Sequence, residues 1–503
     1  MNKTGTLRAI LLLLPVFFFL SASAQKKKKK INYTAEESVF EKIGETDVIK
    51  LYRSVQFEHE GAVMTCDSAY FYRKENTFDA YSNVLVNQGD TVTLQCDSLN
   101  YNGTTKILDA QGNVRFRDKT MTLNTPTIRY NREDGSAVYT QGGVITDPEN
   151  TLSSTIGVYN TNSEWFIFKD SVRLKSEKYS ITADTLLFNS STGLARFRGP
   201  SLIESDSGFI KCNYGDYDTQ NDIAYFSNRC EIHDKATILI GDTVYYNRTT
   251  GVGDLYGDVF MSDSIQKYTV SGQHVFYQKN PEYALVTGEP LYTMIDDQGD
   301  SLHIHGDTLR INTGNTGKRL IRVYYNSKFF KTDFQGKCDS LIFDEADSTL
   351  RMFTNPVLWN GKSQLTANDI YMTLRNGKLD SIFMIKKAFI LSEVDSVKYD
   401  QVRGKDMKGK FYDSQLRSLY VIGNGQTVYT VVDDGKQQGI NRADCSNIIV
   451  RLKDSEISEI VFLTKPNAKM YPLNDIPEGE LILRGFNSRF SEKPNSKQDL
   501  FLD

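Results

Sequence analysis

One phrase recurs through most of the 503 residues, and a chain that repeats at so short an interval must stack copies of one small unit. Four copies show it: Thr93-Leu-Gln-Cys-Asp-Ser-Leu-Asn-Tyr-Asn102, Ser180-Ile-Thr-Ala-Asp-Thr-Leu-Leu-Phe-Asn189, Ile238-Leu-Ile-Gly-Asp-Thr-Val-Tyr-Tyr-Asn247 and Phe334-Gln-Gly-Lys-Cys-Asp-Ser-Leu-Ile-Phe343. Each has an apolar residue, a spacer, a small residue, Asp, Ser or Thr, and then alternating apolar positions. The small slot falls at Cys66, Cys96, Thr125, Ser154, Ala183, Cys212, Gly241, Gly272, Gly306, Cys338, Ala367, Gly404 and Cys445. The spacing is about 29 to 31 residues as far as Gly272 and about 29 to 41 beyond it. Length alone suggests two to four domains of about 150 residues; the repeat replaces that estimate with about thirteen copies of one unit.

Every phrase is followed by a short polar turn, such as Asn102-Gly103-Thr104 or Asn376-Gly377-Lys378, and a second alternating run. The second runs also resemble one another: Asp79-Ala-Tyr-Ser-Asn-Val-Leu-Val86, Asp109-Ala-Gln-Gly-Asn-Val-Arg-Phe116 and Asp254-Leu-Tyr-Gly-Asp-Val-Phe-Met261. A unit is therefore two strands joined by a tight turn. The inward parity switches once per unit. Met64 shares a face with Cys66, and Leu94 with Cys96, whereas after the small slot the apolar pairs are Leu99 with Tyr101, Leu186 with Phe188 and Val244 with Tyr246. One extra residue reverses every following side chain, so a bulge or corner is expected at the step from the small residue to Asp. A small residue fits where two walls meet. The corner aspartates Asp67, Asp97, Asp184, Asp242, Asp307 and Asp339 are expected to accept bonds from backbone N–H groups freed by the bend. The expected fold is all-β: an elongated, repetitive β-jelly-roll of two facing sheets, at about 4.8 Å per strand a rod on the order of 60 Å long.

The ends differ from the repeat. Met1 to Ala24 has Lys3 and Arg8, an apolar run from Ile10 to Leu20, and Ser21-Ala22-Ser23-Ala24 before Gln25, the pattern of a cleaved secretory signal. Lys26 to Lys30 makes a basic, solvated lead over residues 25–31. Spacing divides the body into jelly-roll segments at 32–265 and 266–465, with continuity between them left open. Gly314-Asn315-Thr316-Gly317 and Gly423-Asn424-Gly425 are expected as surface loops. Pro472, Pro477 and Pro494 mark an extended tail over 466–503, in which Leu481 to Phe490 could dock on the body or on a partner.

Composition narrows the chemistry. Lys and Arg total 59 against 63 Asp and Glu, a net charge of −4, which argues against nucleic-acid binding by a basic surface. Five His and six Cys leave little for metal or nucleophile chemistry, and no phosphate loop, nucleophile elbow or Cys-x-x-Cys occurs. His303 and His305 share a strand face without a third ligand at nearby spacing and are expected to be solvated. Most cysteines sit in the small slot and are expected as small buried residues; Cys66 with Cys96 is the pair to test for a disulfide. No metal, cofactor or catalytic residue is expected.

An apolar residue, a spacer, Ala or Cys, Asp, Ser or Thr, then Gly-Asn-Val or Gly-Asp-Val after a turn resembles the OstA-like family, the periplasmic β-jelly-roll module of the lipopolysaccharide-transport proteins LptA, LptC and the N-terminal part of LptD. Cys96-Asp97-Ser98 with Gly112-Asn113-Val114, Ala183-Asp184-Thr185, and Gly241-Asp242-Thr243 with Gly257-Asp258-Val259 carry the resemblance, over about Asn32 to Ile460. It implies a non-enzymatic, exported periplasmic protein, with association to the outer membrane left open. Its cargo would be lipopolysaccharide, the lipid A acyl chains lying in an apolar groove. Its partners would be other jelly-roll transport components joined by edge-strand addition, and self-association stays open. Parity supplies the groove candidates: Phe71, Leu99, Tyr101, Ile128, Leu186, Phe188, Val244, Tyr246, Leu309, Leu341 and Phe343. The alternative reading is an exported structural or adhesive β-repeat protein with a dry core and no lipid.

Overall fold

Alternating burial becomes antiparallel strand almost throughout the computed structural model, which describes residues 30–502 apart from 90–91, 120, 161, 178, 297–298, 314–316, 396–397, 414, 434–435, 454–455 and 474. The expected signal at 1–24, most of the basic lead and the loop at 314–316 lie outside the described residues. Two compact units divide the chain, Met1–Gly135 and Ser136–Asp503. The step at 265/266 falls within the second unit, between strands Val252–Asp263 and Tyr268–Gln278, which pair along their length.

The first unit contains β1 (Asn32–Thr34), β2 (Glu37–Ile43), β3 (Thr46–His59), β4 (Ala62–Tyr72), β5 (Thr77–Gln88), β6 (Val92–Asn102), β7 (Ile107–Arg117) and β8 (Thr122–Asn131). From β3 onward each strand pairs antiparallel with the next. Both β1 and β2 pair with β3, on either side of its bend. Every long strand is interrupted once. Between β3 and β4 the register runs Tyr52 to Ser68 and then Val55 to Cys66, so Arg53 and Ser54 stand opposite Asp67 alone. Between β5 and β6 it runs Tyr81 to Ser98 and then Val84 to Cys96, so Ser82 and Asn83 stand opposite Asp97. The small slot and Asp do mark the corner, and inward parity does switch there. The extra residue, however, lies on the second run of the unit, as a pair of left-handed residues.

Those pairs recur at one place per unit: Arg53–Ser54, Ser82–Asn83, Gly112–Asn113, Asp170–Ser171, Asn228–Arg229, Gly257–Asp258, Tyr325–Asn326, Thr354–Asn355 and Lys386–Lys387 all have positive φ. Positive φ is uncommon outside glycine and is least costly for Asn and Asp, which explains the Ser-Asn-Val, Gly-Asn-Val and Gly-Asp-Val triplets. The third residue resumes the inward face: Val84, Val114 and Val259 are buried. Gly423 and Asn424 form one more such pair inside strand Gln415–Asp433, so this expected surface loop is a corner.

The bend splits each strand between two walls. One wall of the first unit holds Thr46–Tyr52, Ser68–Tyr72, Thr77–Tyr81 and Ser98–Asn102; the other holds Val55–His59, Ala62–Cys66, Val84–Gln88 and Val92–Cys96. Their inner faces meet. Phe57 stacks on Phe78 of the opposite wall at 4.0 Å between ring centroids, and Phe116 meets Tyr130 at 5.9 Å.

The second unit repeats the arrangement through strands such as Trp165–Ser176, Tyr179–Asn189, Leu194–Ser205, Gly208–Asp218, Ile223–Asp234 and Thr237–Asn247. Each pair carries the same two-against-one shift, as at Ser227/Cys230 opposite Thr243/Gly241. Its inner faces make one apolar cluster running in sequence from Leu152 to Val450.

The tail is ordered against this unit. Strand Asn467–Tyr471 pairs with Lys436–Lys453, and the chain then crosses an outward sheet face. Phe389, Leu391, Val428 and Ile440 on that face bury Leu483. Two glutamines each clamp the tail backbone at both polar groups: Gln401 donates to the Leu481 carbonyl and accepts from Leu483 N–H, both at 2.9 Å, and Gln364 does the same with Asn487 and Arg489 at 2.8 and 2.6 Å.

Candidate functional site

The small slot works chemically as well as sterically. Its hydroxyl or thiol donates to the carbonyl two residues ahead, freed by the bend: Thr125 to Thr127 at 3.1 Å, Ser154 to Ile156 at 2.9 Å, Cys66 to Ser68 at 3.3 Å and Cys338 to Ser340 at 3.2 Å. The corner aspartates are exposed and bond side chains, not the backbone N–H groups expected. Asn83, a left-handed residue of the next strand, donates to Asp67 at 2.7 Å, and Asn113 likewise to Asp97 at 2.8 Å. Asn326 reaches Asp307 at 3.2 Å and Arg229 reaches Asp242 at 3.4 Å, while Asp184 and Asp339 accept from the adjoining Thr185 and Ser340 at 2.8 Å. At one further corner a left-handed backbone group does serve as donor, Lys386 N–H reaching Asp406 at 2.8 Å.

The cysteines described are free. Cys66 and Cys96 both face β5 from opposite sides, so a whole strand separates them by about 9–10 Å, beyond the roughly 7 Å limit for a disulfide. Burial pushes the Cys66 thiol up to about 11 and those of Cys96 and Cys338 to about 12.

His303 and His305 are half-buried and hydrogen-bonded within the protein. His303 bonds Thr293 at 2.9 Å, and His305 donates from Nδ1 to the Pro290 carbonyl at 2.8 Å. The Phe501 ring of the tail lies 4.5 Å from the His305 ring, and burial lowers both imidazole pKa values. Among the described residues no three of His, Cys, Asp and Glu gather into a metal-binding group.

Parity residues converge on the space between the walls. In the first unit Phe71, Leu99, Tyr101 and Ile128 are buried there, and in the second Leu186, Val244, Leu309, Leu341 and Phe343, with Phe188 and Tyr246 half-buried. Each buried side chain of this size contributes about 1.5–3 kcal/mol, so the interior stabilises the fold whatever else it does. The walls of the first unit touch where Phe57 stacks on Phe78. In the first unit a cavity of ≈ 30 Å³ remains between them, lined by Phe57, His59, Ala62, Met64, Phe78, Val86, Leu99, Tyr101, Leu108 and Arg132.

Opposite the corner the walls end in turns, and polar groups bridge this mouth. His59 bonds the Tyr101 hydroxyl at 2.7 Å. Arg132 donates to the same hydroxyl at 3.1 Å, to the His59 and Glu60 carbonyls at 3.3 and 3.4 Å and to Gln88 at 3.3 Å, and Lys106 pairs with Glu60 at 3.0 Å. In the second unit Arg319 spans the same position. It pairs with Glu345 at 2.9 Å, lies 3.8 Å over the Tyr268 ring and donates to the Gln266 carbonyl; Glu345 also accepts from Tyr292 at 2.6 Å. The sequence reading missed His59, Arg132, Arg319 and Glu345, because in sequence they are polar residues beside turns, indistinguishable from solvated ones.

Residues 27–184 match the family model described as OstA-like protein. This stretch is similar to the OstA-like family. It takes in all the described strands of the first unit and continues to the Ala183-Asp184 corner of the second. Among solved structures, LptH of Pseudomonas aeruginosa is similar, described as the LptA homologous periplasmic component of the conserved lipopolysaccharide transport device. It is 14% identical, the match covers 28% of this chain and 96% of that one, and the TM-score is 0.21. No curated protein matches the chain significantly.

Proposed function

We propose that this protein is a non-enzymatic, periplasmic carrier of lipopolysaccharide, holding acyl chains between its two walls on the way to outer-membrane assembly. The observation that carries the reading is the interior of the OstA-like segment: an apolar space between walls that share a covalent corner, with a cavity already present behind a mouth bridged by polar side chains. A mouth closed by hydrogen bonds opens at lower cost than one closed by packed side chains, and alkyl chains entering it gain about 0.8 kcal/mol per buried CH2.

Strand addition fits the leading edge. β2 pairs with β3 on one side and is exposed along its length, with Phe40 68% exposed. An edge strand of this kind is a template for a neighbouring jelly roll or a second copy.

The test is gentle extraction of the full chain with mass spectrometry for bound glycolipid. Lipid A-type glycolipid recovered with the protein supports the carrier. Lipid-free protein from membranes rich in lipopolysaccharide favours a structural β-repeat protein. In crosslinking with lipopolysaccharide, Leu186→Asp or Phe188→Asp abolishes adduct formation, and unchanged adducts remove those positions from the cargo path.

A further inference from the structure

We infer that Arg132 at the mouth of the first unit is a recognition site for the anionic phosphate headgroup of an amphiphile whose alkyl chain enters the cavity behind it. This rests on the carrier reading above and adds the residue that selects the headgroup. The two mouths supply the contrast. Arg319 is 7% exposed and held by its own carboxylate, Glu345, at 2.9 and 3.1 Å. Its charge is neutralised inside the protein by that carboxylate. Arg132 is only half-buried, and among the described residues its guanidinium meets four neutral oxygens and no carboxylate. The nearest ion pair joins Lys106 to Glu60 and leaves Arg132 outside it.

Those four contacts span 3.1 to 3.4 Å, longer than the usual N–H···O separation of about 2.9–3.0 Å. A positive fork held by long, neutral bonds exchanges them readily for a phosphate, whose oxygens match the guanidinium geometry and carry the missing charge. Exchange would also release what Arg132 holds shut, since its partners His59, Glu60 and Gln88 belong to one wall and Tyr101 to the other. Behind them lie Phe57, Met64, Phe78 and Leu99, the apolar end of the site. Charge at the rim and hydrocarbon within is the pattern an anionic single-chain lipid requires.

Isothermal titration of the full chain with dodecyl phosphate, dodecyl maltoside and inorganic phosphate tests this. Wild-type protein is expected to bind dodecyl phosphate at least about tenfold more tightly than dodecyl maltoside, and inorganic phosphate weakly. Arg132→Gln brings dodecyl phosphate down to the maltoside level, Arg132→Lys keeps part of the preference, and Arg129→Gln, on an exposed arginine paired with Asp109, keeps all of it. Thermal melts of each variant establish that it is folded. An Arg132→Gln protein that still prefers dodecyl phosphate overturns the inference while leaving the carrier reading intact. Inorganic phosphate binding as tightly as dodecyl phosphate overturns it in favour of a plain anion site. If neither amphiphile binds, the carrier reading and this inference fall together.

Discussion

At the corner, what a residue must do depends on which strand it occupies. The small slot fits between walls and, at Cys66, Thr125, Ser154, Cys338 and Cys445, also closes a freed carbonyl; where it is Gly, local space decides whether anything larger is tolerated. A Cβ on Gly306 would lie 2.4 Å from Val323 Cγ1 and 2.9 Å from the Tyr325 carbonyl oxygen, whereas on Gly241 the nearest atom is 3.5 Å away. Gly306→Ala should therefore destabilise the protein by about 1–3 kcal/mol in denaturant melts, while Gly241→Ala should be neutral or stabilise by about 0.5 kcal/mol. Equal effects would show that the corners are interchangeable. The thiols give a second reading. With pKa values raised to about 11 and 12 by burial, Cys66, Cys96 and Cys338 remain protonated at pH 8 and should resist alkylation in the folded state; the half-buried Cys445 should react first. Mapping of alkylated peptides against time checks the order.

Strands were the most legible elements, because period-two burial shows directly in Leu94, Cys96, Leu99 and Tyr101, and their parity switch placed the corner in the right unit position. The left-handed pair opposite it was visible only as the Ser-Asn-Val and Gly-Asn-Val triplets, whose geometric meaning needs the partner strand. The tail was less legible still. Prolines and polar residues suggested an extended segment, and nothing local marks Gln401 and Gln364, 80 and 123 residues from the nearer of their tail partners, as the groups that clamp it. Replacing both with Ala should raise amide hydrogen exchange across 481–489 while the inner strands keep their protection; unchanged exchange would mean that Leu483 burial alone holds the tail. A further tie is acid-sensitive. Arg489 and Lys337 lower the Glu492 carboxyl to about 2 from its ordinary 4.5. A depressed folded-state pKa stabilises above the unfolded value and is lost as pH falls toward 2, so Glu492→Gln should weaken tail protection at pH 7 and remove its decline in that acid window.

At the scale of the whole molecule, each unit is a pair of walls hinged at repeated corners and closed at a mouth. Parity in the sequence identified which side chains face inward, but it did not distinguish a packed interior from one that receives a ligand, since both demand the same apolar residues. That distinction lies in the mouth, where Arg132 and Arg319 occupy similar positions but only Arg319 is paired with a carboxylate, a difference set by contacts between residues distant in sequence. The most direct test is photolabelling with a phosphoglycolipid carrying a diazirine within its acyl chain, followed by peptide mapping. Acyl chains held between the walls predict adducts on inward residues of the first unit such as Phe57, Met64, Phe78 and Leu99; adducts confined to outward residues or the tail, or none under saturating lipid, would contradict it.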